Sequence, residues 1–336
     1  ICDDSSLRHL TGLHRPGAAG MDGLGNATDP SCLQQPPVAI DIIKDLDIFG
    51  IILYSVLTLM ALLSVLIYME EAVYIYKKVP SPKKSAIMWV NGAAPVIGVT
   101  SCVGMWIPRS SMFTDFTAAS YFAIVIYMFL VMMIEECGGD EAFLKRCGRD
   151  RLRISTGPCC CCCPCLPYAG ISRRTLFLLK AGSFQFALLK TVFTILSIVL
   201  WANGNFDLAD LSITGAAIWI NPFVGILTII ALWPVSIIFK HVQGLLRSLK
   251  IIPKFAMYQM VLILSQLQSA IINILAMGGT IACAPPFSSQ ARGTFMNQQL
   301  LIMEMFIITL VTRMLYRRAY DPLDKTDEHE EDNKDN

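Results

Sequence analysis

The sequence predicts an all-α membrane protein: a seven-transmembrane helix bundle with an extracellular N-terminus and a cytoplasmic C-terminus. Three observations carry this expectation. Of 336 residues, 54% are hydrophobic and only 16% charged, where a soluble domain carries about a quarter charged residues. The apolar residues fall in seven blocks, each close to the roughly 20 residues a helix needs to cross a bilayer. The loops between the blocks alternate between strongly basic and nearly free of lysine and arginine.

The blocks can be placed in order. Span 1 runs from Ile48 to Met69 without a charge, and span 2 from Ala86 to Ile107, uncharged but holding Pro95 and three glycines. Span 3 is Phe116–Ile134, and span 4, Ala181–Trp201, carries the single charge Lys190. Span 5, Ile213–Phe239, contains Pro222 and Pro234. Proline removes a backbone hydrogen bond, so kinks are expected there. Span 6 is Phe255–Met277, rich in amides, and span 7, Gln298–Tyr316, holds Glu304 and Arg313. The domain organisation follows: an extracellular arm over residues 1–47, a transmembrane domain over 48–316 with a cytoplasmic Cys-rich loop at 135–180, and an acidic tail over 317–336 that reads as disordered.

Lysine and arginine collect on the cytoplasmic side of membrane proteins. The loop after span 1 holds Lys77, Lys78, Lys83 and Lys84, and the loop after span 5 holds Lys240, Arg247, Lys250 and Lys254. The loop after span 3 is the most basic, and span 7 exits through Arg313, Arg317 and Arg318. The opposite loops hold only Arg109 and Arg292. Asn26-Ala27-Thr28 is a glycosylation sequon on the side where glycosylation takes place, which agrees with this orientation.

Cys159, Cys160, Cys161, Cys162, Cys163 and Cys165 then lie in a cytoplasmic loop. A reducing cytosol disfavours a disulfide framework. Adjacent cysteines lack the spaced pairs of a zinc site, so no metal is expected. A thiol cluster beside a membrane, flanked by Arg151, Arg153, Arg173 and Arg174, suits S-acylation. Each buried methylene contributes about 0.8 kcal/mol, so several palmitoyl chains would pin the loop to the inner leaflet. On the other side, Cys2, Cys32 and Cys283 permit three pairings, of which Cys32–Cys283 would tie the arm to the loop before span 7.

No catalytic residue is expected. The chain lacks HExxH, GxSxG, P-loop and GxGxxG motifs, and no histidine adjoins the cysteines. No cofactor is implied beyond covalent palmitate and membrane lipids, and no nucleic-acid partner. Polar groups at bilayer depth are costly and face the bundle or a wet cavity. Gln259, Gln266 and Asn273 recur every seven residues, and Ser269 falls on the same stripe, so a regular helix presents them on one face. That face reads either as interhelical glue or as a substrate-facing seam. Lys190 shares a face with Phe186, Thr194 and Ser197 and either pairs with Glu304 or attracts an anion. Glu70, Glu71, Glu135 and Glu136 sit at helix ends and read as water-facing, and Arg313 as a topology anchor.

Several segments together resemble the organic solute transporter alpha subunit family. They are "MEEAVYIYKK" at the end of span 1, "WIPRS" after span 2, "GPCCCCCPC", "FALLKTVFTI" in span 4, "AAIWINPF" in span 5, "GGTIACAPPFSS" and "LVTRMLYRR". The resemblance extends from about Asp47 to Arg318, and the cysteine run is its most specific piece. It implies facilitated, bidirectional transport of bile acids, conjugated steroids such as steroid sulfates, and related amphipathic anions, without sodium or ATP coupling. It implies a basolateral plasma-membrane site in epithelia. It also implies a single-span beta subunit, without which the alpha subunit stays in the endoplasmic reticulum; association of the heterodimers into a higher oligomer is left open. The alternative is a seven-helix signalling receptor for a steroid-like ligand. Against it, span 3 ends in "EECGGDE" rather than Asp-Arg-Tyr, and span 7 lacks Asn-Pro-x-x-Tyr.

Overall fold

The computed structural model describes residues 39–45, 47–148, 151–153, 168–204, 215–282 and 288–317. Among them are seven helical spans long and apolar enough to cross a membrane. A short helix α1 (Ala39–Asp45) precedes span 1, which is α2 (Ile48–Lys78). Span 2 is α3 (Ser81–Asn91) and α4 (Ala93–Trp106), and span 3 is α5 (Ser111–Glu136). Helix α6 (Gly139–Cys147) leads to strands β1 (Arg151–Arg153) and β2 (Tyr168–Gly170). Spans 4 and 5 are α7 (Arg173–Ala202) and α8 (Ala217–Val242). Span 6 comprises α9 (Ile251–Leu262), a π-helical turn at Ile263–Gln268, and α10 (Ser269–Met277). Span 7 is α11 (Ser289–Tyr316).

Most helices outrun their apolar blocks. Span 1 continues through Glu70 and Glu71 to Lys78, and span 4 starts eight residues early, at Arg173. Hydrophobicity marks where lipid ends, whereas the backbone ladder ends only where a cap or breaker stops it. Pro80 closes the turn after span 1, and the Ser172 hydroxyl caps span 4 by accepting from the Thr175 amide. Span 5 departs in the other direction and starts at Ala217.

Span 2 breaks at Gly92, where the chain passes under the hydroxyls of Tyr68 and Tyr121. A Cβ there would collide with the Tyr121 hydroxyl, so only glycine fits this crossing. Span 5, by contrast, stays one helix with Pro222 and Pro234 inside it. The Ser183 hydroxyl of span 4 donates to the Ala231 carbonyl at 3.0 Å, in the turn that Pro234 loosens. A neighbouring helix thus supports a backbone turn that proline has weakened.

Span 3 is the central pillar: Phe129, Leu130, Met132, Met133 and Ile134 are fully buried. Lipid is as apolar as leucine, so burial alone does not hold such helices together; close packing and interhelical hydrogen bonds do. Rings supply much of that packing. Tyr258 stacks on Phe129 at 4.4 Å and Phe122 at 5.8 Å, and Phe239 on Phe255 at 3.7 Å. Spans 1 and 4 turn broad apolar faces outward, as lipid-facing helices do. Strands β1 and β2 pair antiparallel, Leu152 opposite Ala169, and flank residues 154–167.

Candidate functional site

The expected polar seam of span 6 is built differently from a regular stripe. The π-helical turn at Ile263–Gln268 lies in its middle. Its wider hydrogen-bonding pattern breaks the seven-residue alignment. Gln259 and Asn273 are half-buried, and Gln266 is exposed. Ser269 and Gln268 both meet polar side chains of span 7. Asn297 donates its amide to the Ser269 hydroxyl at 2.9 Å, and Ser269 donates onward to the Ser265 carbonyl at 2.9 Å. Glu304 faces Gln268. Neither Gln268 nor Asn297 stood out in the sequence, because both fall outside the assumed stripe.

Lys190 is half-buried on span 4, on the face that carries buried Phe186 and Ser197. Its neighbour Thr194 meets Ser120 of span 3, hydroxyl to hydroxyl, at 3.2 Å. Span 4 packs against spans 3 and 5, whereas span 7 packs against spans 1, 2 and 6. The fold therefore separates Lys190 from Glu304, and neither forms an ion pair among the described residues.

A second polar region lies inside the bundle, toward the end carrying the long basic helix extensions. It corrects the water-facing reading for Glu71 and Glu136, whereas Glu70 is exposed as expected. Glu136 is buried between Lys83 at 3.6 Å and Lys254 at 3.7 Å. Lys254 is itself fully buried, with its ammonium 4.4 Å from the centre of the Tyr316 ring. A carboxylate taken out of water costs several kcal/mol unless it is paired, so these three charges depend on one another. Glu71 is also buried, and neither of its carboxylate oxygens has a hydrogen-bond partner among the described residues. Arg313 makes a two-pronged contact to Glu70 at 2.6 and 2.9 Å, and Arg317 adds a third bond at 3.1 Å.

Two small cavities thread this region and share Asn91 and Thr312. The larger, about 20 Å³, lies among spans 2, 3, 6 and 7 beside Lys254, Tyr258 and Tyr316. The smaller, about 10 Å³, lies beside Tyr68, Glu71 and Arg313. Ligand pockets for drug-sized molecules run to about 300–1,000 Å³. Neither of these two cavities is large enough to hold a molecule of that size.

Residues 53–322 match the family described as organic solute transporter Ostalpha. The chain belongs to the organic solute transporter alpha family. An organic solute transporter subunit alpha from Danio rerio is 67% identical over 303 residues, covering 90% of this chain and 93% of that protein. The corresponding subunit from Leucoraja erinaceus is 44% identical over 292 residues, covering 87% and 83%. That from Homo sapiens is 42% identical over 289 residues, covering 86% and 85%. No solved structure matches. Family membership and the seven spans make the chain a multi-pass membrane protein of a transporter family. The cysteine run, Asn26, Cys32 and Cys283 lie outside the described residues. Among the described residues, no cluster of His, Cys, Asp and Glu is arranged to hold a metal ion.

Proposed function

We propose that the protein is the alpha subunit of a facilitative carrier for bile acids, conjugated steroids and related amphipathic anions, working without sodium or ATP. Its partner is a single-span beta subunit, and its site is the basolateral plasma membrane with the N-terminus outside. The carrying observation is the 67% identity, across 90% of this chain, to a protein named as an organic solute transporter alpha subunit. The geometry supports a route along the membrane-facing side of spans 6 and 7. An exposed Gln266 at bilayer depth calls for a polar partner, and the interior cavity of about 20 Å³ is far below steroid size. Gln259, Ser269, Asn273 and Glu304 supply sparse polar contacts along an otherwise apolar surface, and Lys190 supplies a cation on span 4, beside spans 3 and 5. That combination suits a rigid apolar body with an anionic end.

The deciding experiment is uptake of labelled taurocholate into vesicles with and without the beta subunit. Net flux that follows the gradient and ignores sodium supports the carrier, and a guanine-nucleotide response without flux supports a receptor. Lys190→Met on surface-expressed protein is expected to lower uptake of sulfated steroids by tenfold or more, the scale of one lost charge-assisted bond. Normal uptake would remove Lys190 from the substrate path. We also propose that palmitate is carried on Cys159–Cys163 and Cys165. Serine at all six positions is expected to abolish palmitate labelling, and labelling that persists would place the acyl chains elsewhere.

A further inference from the structure

Span 1 carries one continuous outward stripe. Leu62, Leu66, Met69, Val73 and Tyr76 follow one another at intervals of three and four residues and so share a helix face. Each is between 51% and 66% exposed. Lys77, four residues after Val73 and exposed, continues the stripe. The apolar block ends at Met69, and Tyr76 stands about 10 Å further along the axis at 1.5 Å per residue. A helical side chain leans back toward the start of its helix, which draws the Tyr76 ring toward the lipid. The headgroup layer on each side of a bilayer is about 5–7 Å deep, and tyrosine collects in it. The apolar stripe thus ends at headgroup level in a ring and a lysine.

Span 2 adds a second cation to this point. The Lys84 ammonium lies 4.2 Å from the centre of the Tyr76 ring. The ring face holds the charge by electrostatic attraction and leaves N–H donors of the ammonium for an anion. The sequence has no aspartate or glutamate between Glu71 and Asp115. Lys83 is turned inward to Glu136, but Lys77 and Lys84 have no ion-pair partner among the described residues. The connection between spans 3 and 4 differs: there Arg173 pairs with Glu141 and Lys180 with Asp140. Its cations are matched inside the protein, whereas those beside Tyr76 are left for a group outside it. The continuity of the stripe says what that group is. An acidic soluble protein would reach the lysines but not Leu66, Met69 and Val73, which face lipid. A phospholipid with an anionic headgroup meets both at once.

We propose that the turn between spans 1 and 2 is a binding site for an anionic phospholipid. Its phosphate is held by Lys77 and Lys84, the Tyr76 ring positions Lys84, and an acyl chain lies along the stripe of span 1. This site is separate from the seam of spans 6 and 7 and does not depend on the substrate reading.

The test reconstitutes the full chain in phosphatidylcholine nanodiscs carrying a trace of phosphatidylglycerol with a photoreactive diazirine in its acyl chain. After illumination, labelled peptides are mapped by mass spectrometry, with label elsewhere on the chain as the internal reference. Label is expected within residues 62–84. Unlabelled phosphatidylglycerol should displace it, and extra phosphatidylcholine or soluble glycerol phosphate should not. Each lysine near an anionic surface contributes about fivefold in affinity. Lys77→Gln with Lys84→Gln is therefore expected to lower this label tenfold or more. Tyr76→Leu keeps an apolar side chain but removes the ring under Lys84, and should lower it about threefold. Lys78→Gln removes the same charge one position off the stripe and should leave the label within twofold. Label that the double variant leaves unchanged, or that Lys78→Gln lowers as much, reports surface charge alone and overturns the proposal. Displacement by glycerol phosphate means a phosphate site without the lipid, and absence of label here means that the lysines serve another partner. Either result overturns it equally.

Discussion

The two ends of the bundle are held by different physics. At one end, seven charged side chains (Glu70, Glu71, Glu136, Lys83, Lys254, Arg313 and Arg317) tie spans 1, 2, 3, 6 and 7 together. At the other end, rings and neutral hydrogen bonds supply many of the contacts. Tyr54 meets Trp106 edge-on at 5.1 Å and Phe295 at 5.7 Å, and the Trp106 indole donates to Thr58 at 2.9 Å. Phe113 meets Trp201 at 5.4 Å. Ring contacts of this kind contribute about 0.5–1.5 kcal/mol each, so the neutral end spreads its stabilisation over many of them. The charged end concentrates its stabilisation in a few pairs, and those around Glu136 cannot be separated without stranding a buried charge. Charge substitutions should therefore act on one end and volume changes on the other.

The largest effect is expected from Glu136→Gln, which leaves Lys83 and Lys254 facing each other without their carboxylate. Breaking a buried pair by removing one partner costs about 3–5 kcal/mol. Little folded protein is therefore expected in a detergent-solubilised size-exclusion profile. Adding Lys254→Met to the same chain removes the stranded charge and should recover a substantial part of the folded fraction. If the single variant melts like the parent, the buried cluster does not hold this end together.

At the neutral end the corresponding test is steric. A Cβ on Gly104 would run into the Gln298 amide and lie 2.9 Å from the Thr114 hydroxyl. Overpacking of this kind costs about 1–3 kcal/mol. Gly104→Ala should lower the melting temperature by several degrees, and Gln298→Ala in the same chain should restore most of it. An unchanged melting temperature would mean that spans 2 and 7 can part freely at this end, and the contrast between the ends would then be one of flexibility rather than of interaction type.

The seven spans were legible in the sequence because lipid imposes a length and a composition that no loop here shares. The family was legible for a similar reason, since fixed short segments carry it. The buried charges were not. Glu71 and Glu136 stand at the ends of apolar runs, where a water-facing and a bundle-facing side chain look alike in sequence. The rotation of each helix about its axis decides between them, and its neighbours set that rotation. One signal was available: in both Glu70-Glu71 and Glu135-Glu136 the neighbours project about 100° apart on a helix, so one member of each pair tends to turn inward. The amide stripe of span 6 failed for a local reason. Its seven-residue repeat holds only on an unbroken α-helix, and the π-helical turn at Ile263–Gln268 interrupts it. The expected pairing of Lys190 with Glu304 fails on packing order, which put span 4 beside spans 3 and 5, away from span 7.

The smallest expected effect gives the sharpest readout of the charged end. Cys137 directly follows Glu136 and is 1% exposed. Burial pushes its thiol up to about 12, with Cys147 beside it adding to the shift. Only the thiolate reacts with alkylating reagents. A thiol raised that far is ionised in only about one molecule in ten thousand at pH 8, and its reactivity returns only as the pH climbs toward its raised value. Iodoacetamide at pH 7.5, followed by peptide mass mapping, should leave Cys137 unmodified in the folded protein and modify it fully after denaturation. In Glu136→Gln with Lys254→Met, loosening of the charged end should let the reagent in while the protein stays folded. Rapid modification of Cys137 in the parent protein would mean that this end already opens on its own, and the ion pairs would then be spectators of that motion rather than the contacts that restrain it.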